Sequence, residues 1–337
     1  MIDLRSDTVS KPTAKMRQAM AQAEVGNAAY GEDPTVNRLQ ERAAQMLGME
    51  AALYVPSGTM ANQIAVKIHV RPGDEVILDS ESHIFNKEVG MMAAFAGALA
   101  KTMSTAHGIL PIETVEEAIL PASRSESETG LICLENTHNR KGGTIYPLDE
   151  MRALIELAHS KGLPIHLDGA RIFNASVATG IPVRDLVDGF DSVMFCLSKG
   201  LGAPVGSLLL GSTAFIDEAH RVRRMLGGAM RQAGIIAAGG LYALEHHIER
   251  LAEDHANAKL LADVLQGKDQ VTLEPVQTNI VIFSLAGITA EDFTEQMRAK
   301  GILANVVSSK KIRLVTHLDV NREQALTAAG AMDAILQ

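Results

Sequence analysis

Pro164–Gly202 reads PIHLDGARIFNASVATGIPVRDLVDGFDSVMFCLSKGLG, and this stretch decides the fold. Two apolar runs of strand length, Pro164–Leu167 and Ser192–Leu197, flank a mixed amphipathic segment. Asp168 follows the first run and Lys199 comes shortly after the second. A strand, a crossover and a second parallel strand bring both ends to the same edge of a sheet. Open α/β sheets bind ligands at that edge. A carboxylate and an amine 31 positions apart therefore converge on one crevice. There a lysine can form a Schiff base with an aldehyde cofactor, while the carboxylate holds a pyridine nitrogen protonated. Taken singly, each residue reads more simply as a capping aspartate or an exposed lysine. The pair gains its weight from the rest of the chain.

At 337 residues, about two domains are expected. A hydrophobic content of 47% with 21% charged residues describes a globular chain with a large core. The net charge of −9, with no long basic block, argues against nucleic acid and anionic membrane surfaces as partners. Cys133 and Cys196 both lie in apolar runs and no CxxC pair or Cys/His cluster occurs, so buried, reduced thiols and no metal site are expected. MIDLRSDTVS has neither signal- nor transit-peptide character. The apolar tracts Met91–Ala100 and Ile235–Leu244 fall short of the roughly 20 residues of a membrane span. A soluble, cytoplasmic protein is the expectation.

Residues 1–12 are polar and irregular, either a frayed arm or a segment folded back over the crevice with Ser6 or Thr8 donating hydrogen bonds. Helices are expected over Thr13–Glu24 and Pro34–Gly48, joined by a loop carrying Tyr30. In AALYVPSGTMANQ a strand, a small-residue turn and a helix start form an anion cradle at Ser57, Gly58 and Thr59. A plain N-cap explains those residues equally well. His83 follows the strand Glu75–Leu78 near a helix start, where an imidazole can stack on a flat ring and relay protons. Arg171, three residues past Asp168, can hold a phenolate or a carboxylate in its fork. GLGAPVG has the wrong spacing for a dinucleotide fingerprint, and Pro204 sits where the helix would begin. From about Glu245 the βαβ regularity gives way to a smaller α+β unit, with Arg313 in the alternating strand KIRLVTH.

Four pieces now stand together: SGT, SHIF, HLDGAR and CLSKG. With DLRSDTVSKPT, YGEDPTVNRLQ, LENTHN, GGAMRQAG and IRLVTH, their order and spacing resemble the L-threonine aldolases, low-specificity type, from Met1 to about His317. The resemblance implies an α/β, fold-type I pyridoxal-phosphate-dependent transferase-like architecture. Its central sheet would be mostly parallel with helices on both faces, within a cofactor-binding domain over residues 1–245 that includes the arm, and a smaller α+β domain would span 246–337. It implies that Lys199 carries pyridoxal 5′-phosphate as a Schiff base, that Asp168 pairs with the ring nitrogen and that His83 stacks on the ring. Ser57, Gly58 and Thr59 would cradle the phosphate, with Arg224 and Arg231 reaching it across a subunit boundary. Arg171 would serve the phenolate and, with Ser6 and Arg313, the substrate carboxylate. Tyr30 would be supplied by a partner subunit of a homotetramer built as a dimer of dimers.

The implied reaction is retro-aldol cleavage of β-hydroxy-α-amino acids to glycine and an aldehyde, with His83 or a held water as base. A β-eliminating lyase or aminotransferase of the same fold is the alternative, and a silent binding protein a more distant one. The chain departs from the family at one place: Ser125 stands near the position of a second histidine.

Overall fold

The computed structural model describes all 337 residues. Its strands are, in chain order, β1 (Ile2–Asp3), β2 (Ala51–Val55), β3 (Glu75–Asp79), β4 (Leu99–Met103), β5 (Thr129–Glu135), β6 (Ile165–Asp168) and β7 (Ser192–Cys196). There follow β8 (Ser207–Gly211), β9 (Val271–Leu273), β10 (Ile280–Leu285), β11 (Ile302–Leu303), β12 (Asn305–Val306) and β13 (Lys311–Val315). Seven of them form a sheet in the order β2-β8-β7-β6-β5-β3-β4. Only β8 runs against the others; β7, β6, β5, β3 and β4 are joined by parallel pairings. The two apolar runs within Pro164–Gly202 are thus adjacent parallel strands, with His166 opposite Ser192 and Asp168 opposite Met194.

Both faces of the sheet are covered, which is why its strands read as unbroken apolar runs. Alternate residues separate cleanly. Ile165, Leu167, Val193 and Phe195 point into a core shared with helices Pro34–Leu47, Leu148–Ser160, Ile172–Thr179 and Gly234–His246. Met194 and Cys196 point the other way, beneath helices Gly58–His69 and Thr213–Met225. By the same two-residue period, His166, Asp168 and Ser192 lie on that second face. Their helix is seated closely: a Cβ on Gly58 would stand 2.9 Å from Cys196 Sγ and 3.0 Å from Met194 Cε. Glycine is required there because the helix start meets the strand side chains without clearance.

The C-terminal unit is a four-stranded antiparallel sheet, β12-β13-β10-β9, with helices Leu251–Asp263, Ala290–Ala299 and Arg322–Ile335 around its own apolar cluster. The expected helix Glu249–Leu265 is two residues shorter at each end. The helix expected from Arg231 begins at Gly234, and that of Thr13–Glu24 covers Ala14–Ala21. Residues 1–12 are neither frayed nor wholly irregular. β1 pairs in parallel with β11, Ile2 opposite Ile302, and Leu4 is fully buried in the C-terminal cluster. Three residues on, Asp7 is buried against Arg171 of the large sheet's edge.

Candidate active site

The C-terminal ends of the parallel strands gather the site. Asp168 ends β6, Glu135 ends β5, and Lys199 lies three residues beyond β7. Helix Gly58–His69 crosses above them with its N-terminus at the same edge, capped by Ser57, whose hydroxyl accepts from the Met60 N–H at 3.2 Å. Ser57 is exposed and Gly58 and Thr59 are partly so. Free backbone donors and the helix dipole therefore face solvent at the edge where the strands leading to Asp168 and Lys199 end.

Asp168 is buried. Its Oδ2 accepts from Asn62 Nδ2 at 2.8 Å and its Oδ1 from the Ala170 N–H at 3.1 Å. The other Asn62 Nδ2 hydrogen goes to Glu88 Oε1, also at 2.8 Å. Glu88 is fully buried, and accepts from Gln63 Nε2 at 2.6 Å and from His83 Nδ1 at 2.9 Å. One ligand atom each from His83, Glu88 and Asp168 fall within 4.8 Å of one another. Burial raises the Glu88 carboxyl above its ordinary range, and the nearby Asp168 charge adds to this against the bonds from His83 and Gln63. Burial works to lower His83, but the Glu88 hydrogen bond and the Asp168 charge prevail, so the imidazole sits above its usual value. The His83 backbone N–H donates to Glu135 Oε2 at 2.7 Å, which pins the start of its short helix, His83–Asn86.

Lys199 is half-buried and makes no hydrogen bond or ion pair through Nζ. Its charge is felt by both Asp7 and His83. Arg171 and Asp7 form a two-pronged pair, Nε to Oδ2 at 2.6 Å and Nη2 to Oδ1 at 2.7 Å, with neither side chain more than 4% exposed. Burial would raise the Asp7 carboxyl, yet Arg171, with Lys199 and Arg313, brings it down to about 2. Arg171 Nη1 and Arg313 Nη1 both donate to Asn139 Oδ1, at 3.3 and 2.9 Å. Arg313 Nε is buried without a partner, and burial beside Arg171 lowers its guanidinium to about 10. Arg313, His83, Asn139, Ile282 and Val306 line a cavity of about 300 Å³ between the two sheets' edges.

Other expected residues lie further out. Ser6 caps a short turn at Asp7–Val9, its Oγ accepting from the Thr8 N–H and hydroxyl at 3.2 and 2.8 Å. Asp7, not Ser6 or Thr8, is the arm residue that reaches the guanidinium. Tyr30 is 78% exposed, and Arg224 and Arg231 are exposed without side-chain partners in the chain. Ser125 lies in an exposed loop, bonded only to Ser123. Asn62, Gln63, Glu88, Asn139 and Asp7 were not singled out in sequence. Glu88 carried a usable signal: a carboxylate five residues after His83, two residues past the short helix that the SHIF block opens.

This arrangement has counterparts. Residues 3–287 match the beta-eliminating lyase family. A low-specificity L-threonine aldolase of Arabidopsis thaliana is 45% identical over 326 residues, 94% of this chain and 91% of the relative. The chain belongs to the threonine aldolase family. A low specificity L-threonine aldolase of Escherichia coli K12 is 42% identical over 339 residues, spanning all of this chain and 99% of the bacterial one. Among solved structures, a threonine aldolase of Leishmania major superposes over the whole of both chains with a TM-score of 0.86 at 19% identity, a likeness of fold. The family's α/β architecture, with a mostly parallel sheet between helices, is the one described above.

Proposed function

We propose that this protein cleaves L-threonine, L-allo-threonine and related β-hydroxy-α-amino acids, reversibly, to glycine and an aldehyde, using pyridoxal 5′-phosphate. The observation that carries the reading is the chemistry gathered at one sheet edge: an amine without a partner, a buried carboxylate, and an imidazole whose tautomer a second carboxylate fixes. These groups fit the cofactor. Lys199 Nζ is uncommitted, the helix start at Gly58 leaves room for nothing larger than backbone on its inner side, and Arg313 Nε is an orphaned donor in the cavity wall.

When bound, the cofactor supplies an electron sink for the pair left on Cα as the Cα–Cβ bond breaks. Lys199 would hold its aldehyde carbon, Asp168 its ring nitrogen, and Ser57, Gly58 and Thr59 its phosphate. Arg171, with Arg313 and Ser6, would orient the substrate carboxylate, Arg171 also serving the phenolate oxygen. His83 would stack on the ring and serve as the base. Because Nδ1–H donates to Glu88, Nε2 is left with a bare lone pair, and the residue borders the cavity. Nε2 takes the β-hydroxyl proton while the O–H pair becomes the new carbonyl bond. Cα then accepts a proton, giving glycine. Arg224, Arg231 and Tyr30 are assigned to a neighbouring subunit's site in a homotetramer. Their exposure on a single chain supports this, and Arg224→Ala with Arg231→Ala should then weaken cofactor binding. Two buried unpaired cysteines suit a reducing compartment such as the cytoplasm. No helix is long and apolar enough to cross a membrane.

The beta-eliminating lyase description of the family keeps one rival in view. Incubation of the cofactor-loaded protein with L-allo-threonine decides between them. Glycine and acetaldehyde are expected; ammonia with a keto acid would establish elimination instead, and amino transfer to an added keto acid an aminotransferase.

A further inference from the structure

A file of buried polar groups runs from Asp168 across the sheet to its opposite edge. Asn62 Nδ2 meets Asp168 Oδ2 at 2.8 Å, and Asn62 Oδ1 meets His166 Nε2 at 3.0 Å. His166 Nδ1 lies 2.8 Å from Ser192 Oγ, its register neighbour on β7, and Ser192 Oγ lies 2.8 Å from His69 Nε2. His69 ends the helix that Gly58 begins, stacks on Phe215 at 5.0 Å, and walls a cavity of about 520 Å³ with Glu50, Arg184 and Asp191.

Donor bookkeeping allows these bonds only one direction. Both Asn62 Nδ2 hydrogens are claimed by carboxylates, Asp168 and Glu88, so its oxygen must be the atom that meets His166. His166 Nε2 must then carry a hydrogen. Burial keeps this imidazole neutral, holding it down to about 3, so Nδ1 is bare and accepts from the Ser192 hydroxyl. The Ser192 oxygen, its hydrogen spent, accepts from His69 Nε2–H. Burial likewise holds His69 neutral, down to about 4, leaving Nδ1 free. Every hydrogen along the file points toward Asp168. Histidines that merely filled a core would need partners but no common polarity, and successive bonds of one sense strengthen one another.

We infer that His166, Ser192 and His69 are positioning residues for Asp168: their one-way chain of donors holds its Oδ2 aimed at the ring nitrogen. The inference rests on the reading that Asp168 faces that nitrogen. The test compares binding of pyridoxal 5′-phosphate with that of its analogue carrying carbon in place of the ring nitrogen, by equilibrium dialysis. The ratio of the two dissociation constants reports only what Asp168 does for the N–H.

In Ser192→Ala the preference for the natural cofactor should fall about fivefold, the worth of one ordinary hydrogen bond. His166→Leu should lower it further, whereas His166→Gln, which keeps a donor and an acceptor, should largely restore it. A lesion of pocket shape would weaken both ligands equally; an unchanged ratio, or parallel losses, overturns the inference. A wild-type protein that does not discriminate between the ligands overturns the ring-nitrogen reading, and this inference with it. In the cofactor-free protein, ¹⁵N histidine spectra should show the Nε2–H tautomer at His166 and His69; Nδ1–H at either would refute the chain independently.

Discussion

Replacing Asp7 by asparagine tests how the arm is held to the site. The carboxylate meets Arg171 through two bonds of 2.6 and 2.7 Å, and neither partner is appreciably exposed. Removing one member of a buried pair costs about 3–5 kcal/mol, because the other charge stays buried and unanswered. The carboxyl's own displacement, from 3.8 to about 2, corresponds to about 2 kcal/mol at neutral pH. About 3 kcal/mol is a fair middle value. At about 2.1 cal/mol/K per residue, a chain of this length has an unfolding entropy near 0.7 kcal/mol/K, so Asp7→Asn should lower Tm by about 4 °C.

The pH dependence has a definite sign. A carboxyl depressed by folding stabilises the native state above its unfolded pKa and loses that contribution as pH falls through its folded value. The wild-type advantage should hold from pH 7 to 5 and close between about 4 and 2. Calorimetry of the cofactor-free proteins at pH 7, 5 and 3 measures it. A shift below 1 °C at pH 7, or one that widens in acid, would refute the account.

Lys199→Ala should release no aldehyde from L-threonine above background and should leave no lysine label after borohydride reduction; near-normal turnover would contradict the assigned chemistry. Glu88→Gln should lower kcat about 100-fold. The acid limb of its pH–rate profile should move to lower pH, because His83 loses the carboxylate that raises it; stopped assays between pH 5 and 9 would show both. Gly58→Ala forces a methyl to within 3.0 Å of Cys196 and Met194, and should cost about 1–3 kcal/mol in urea unfolding together with weaker cofactor binding. Neutral His166, at about 3 when folded, makes unfolding take up a proton below its unfolded value near 6.5. His166 should therefore contribute up to about 1.4 kcal/mol per pH unit to the fall of stability below pH 6.5, and His166→Gln should make that fall shallower by this one share, while His69 and His255, both held down to about 4, keep theirs.

Much of the layout was legible because strands buried on both faces announce themselves. Pro164–Leu167 and Ser192–Leu197 are apolar runs whose ends must carry whatever the sheet presents, so the sequence alone pairs Asp168 with Lys199 at one edge. The strand, turn and helix start around Ser57–Thr59 were legible for a similar reason, since a small-residue turn after an apolar run marks a helix beginning. The relations among side chains were not. His166 sits one residue from a core position, and only the overlying helix, 104 residues earlier in sequence, shows it meeting Asn62. Glu88 follows an exposed loop and looks solvated until Asn62 and Gln63 close over it. Asp7 lay in plain sight in RSDT, but its neighbours have the commoner capping side chains, and nothing local pointed to Arg171, 164 residues away. β1 is two residues long and pairs with a strand as short, a signal below any periodicity.

That last pairing bears on how the chain comes to work at all. Ile302, the residue that Ile2 lies beside, is made 300 positions after it. Until then Asp7 has no fixed route to Arg171, although the strand leading to Arg171 is complete far earlier. The final assembly of the site is thus deferred until the chain has been made at least as far as Leu303. A half-made chain can fold much of its large sheet without yet possessing a finished pocket.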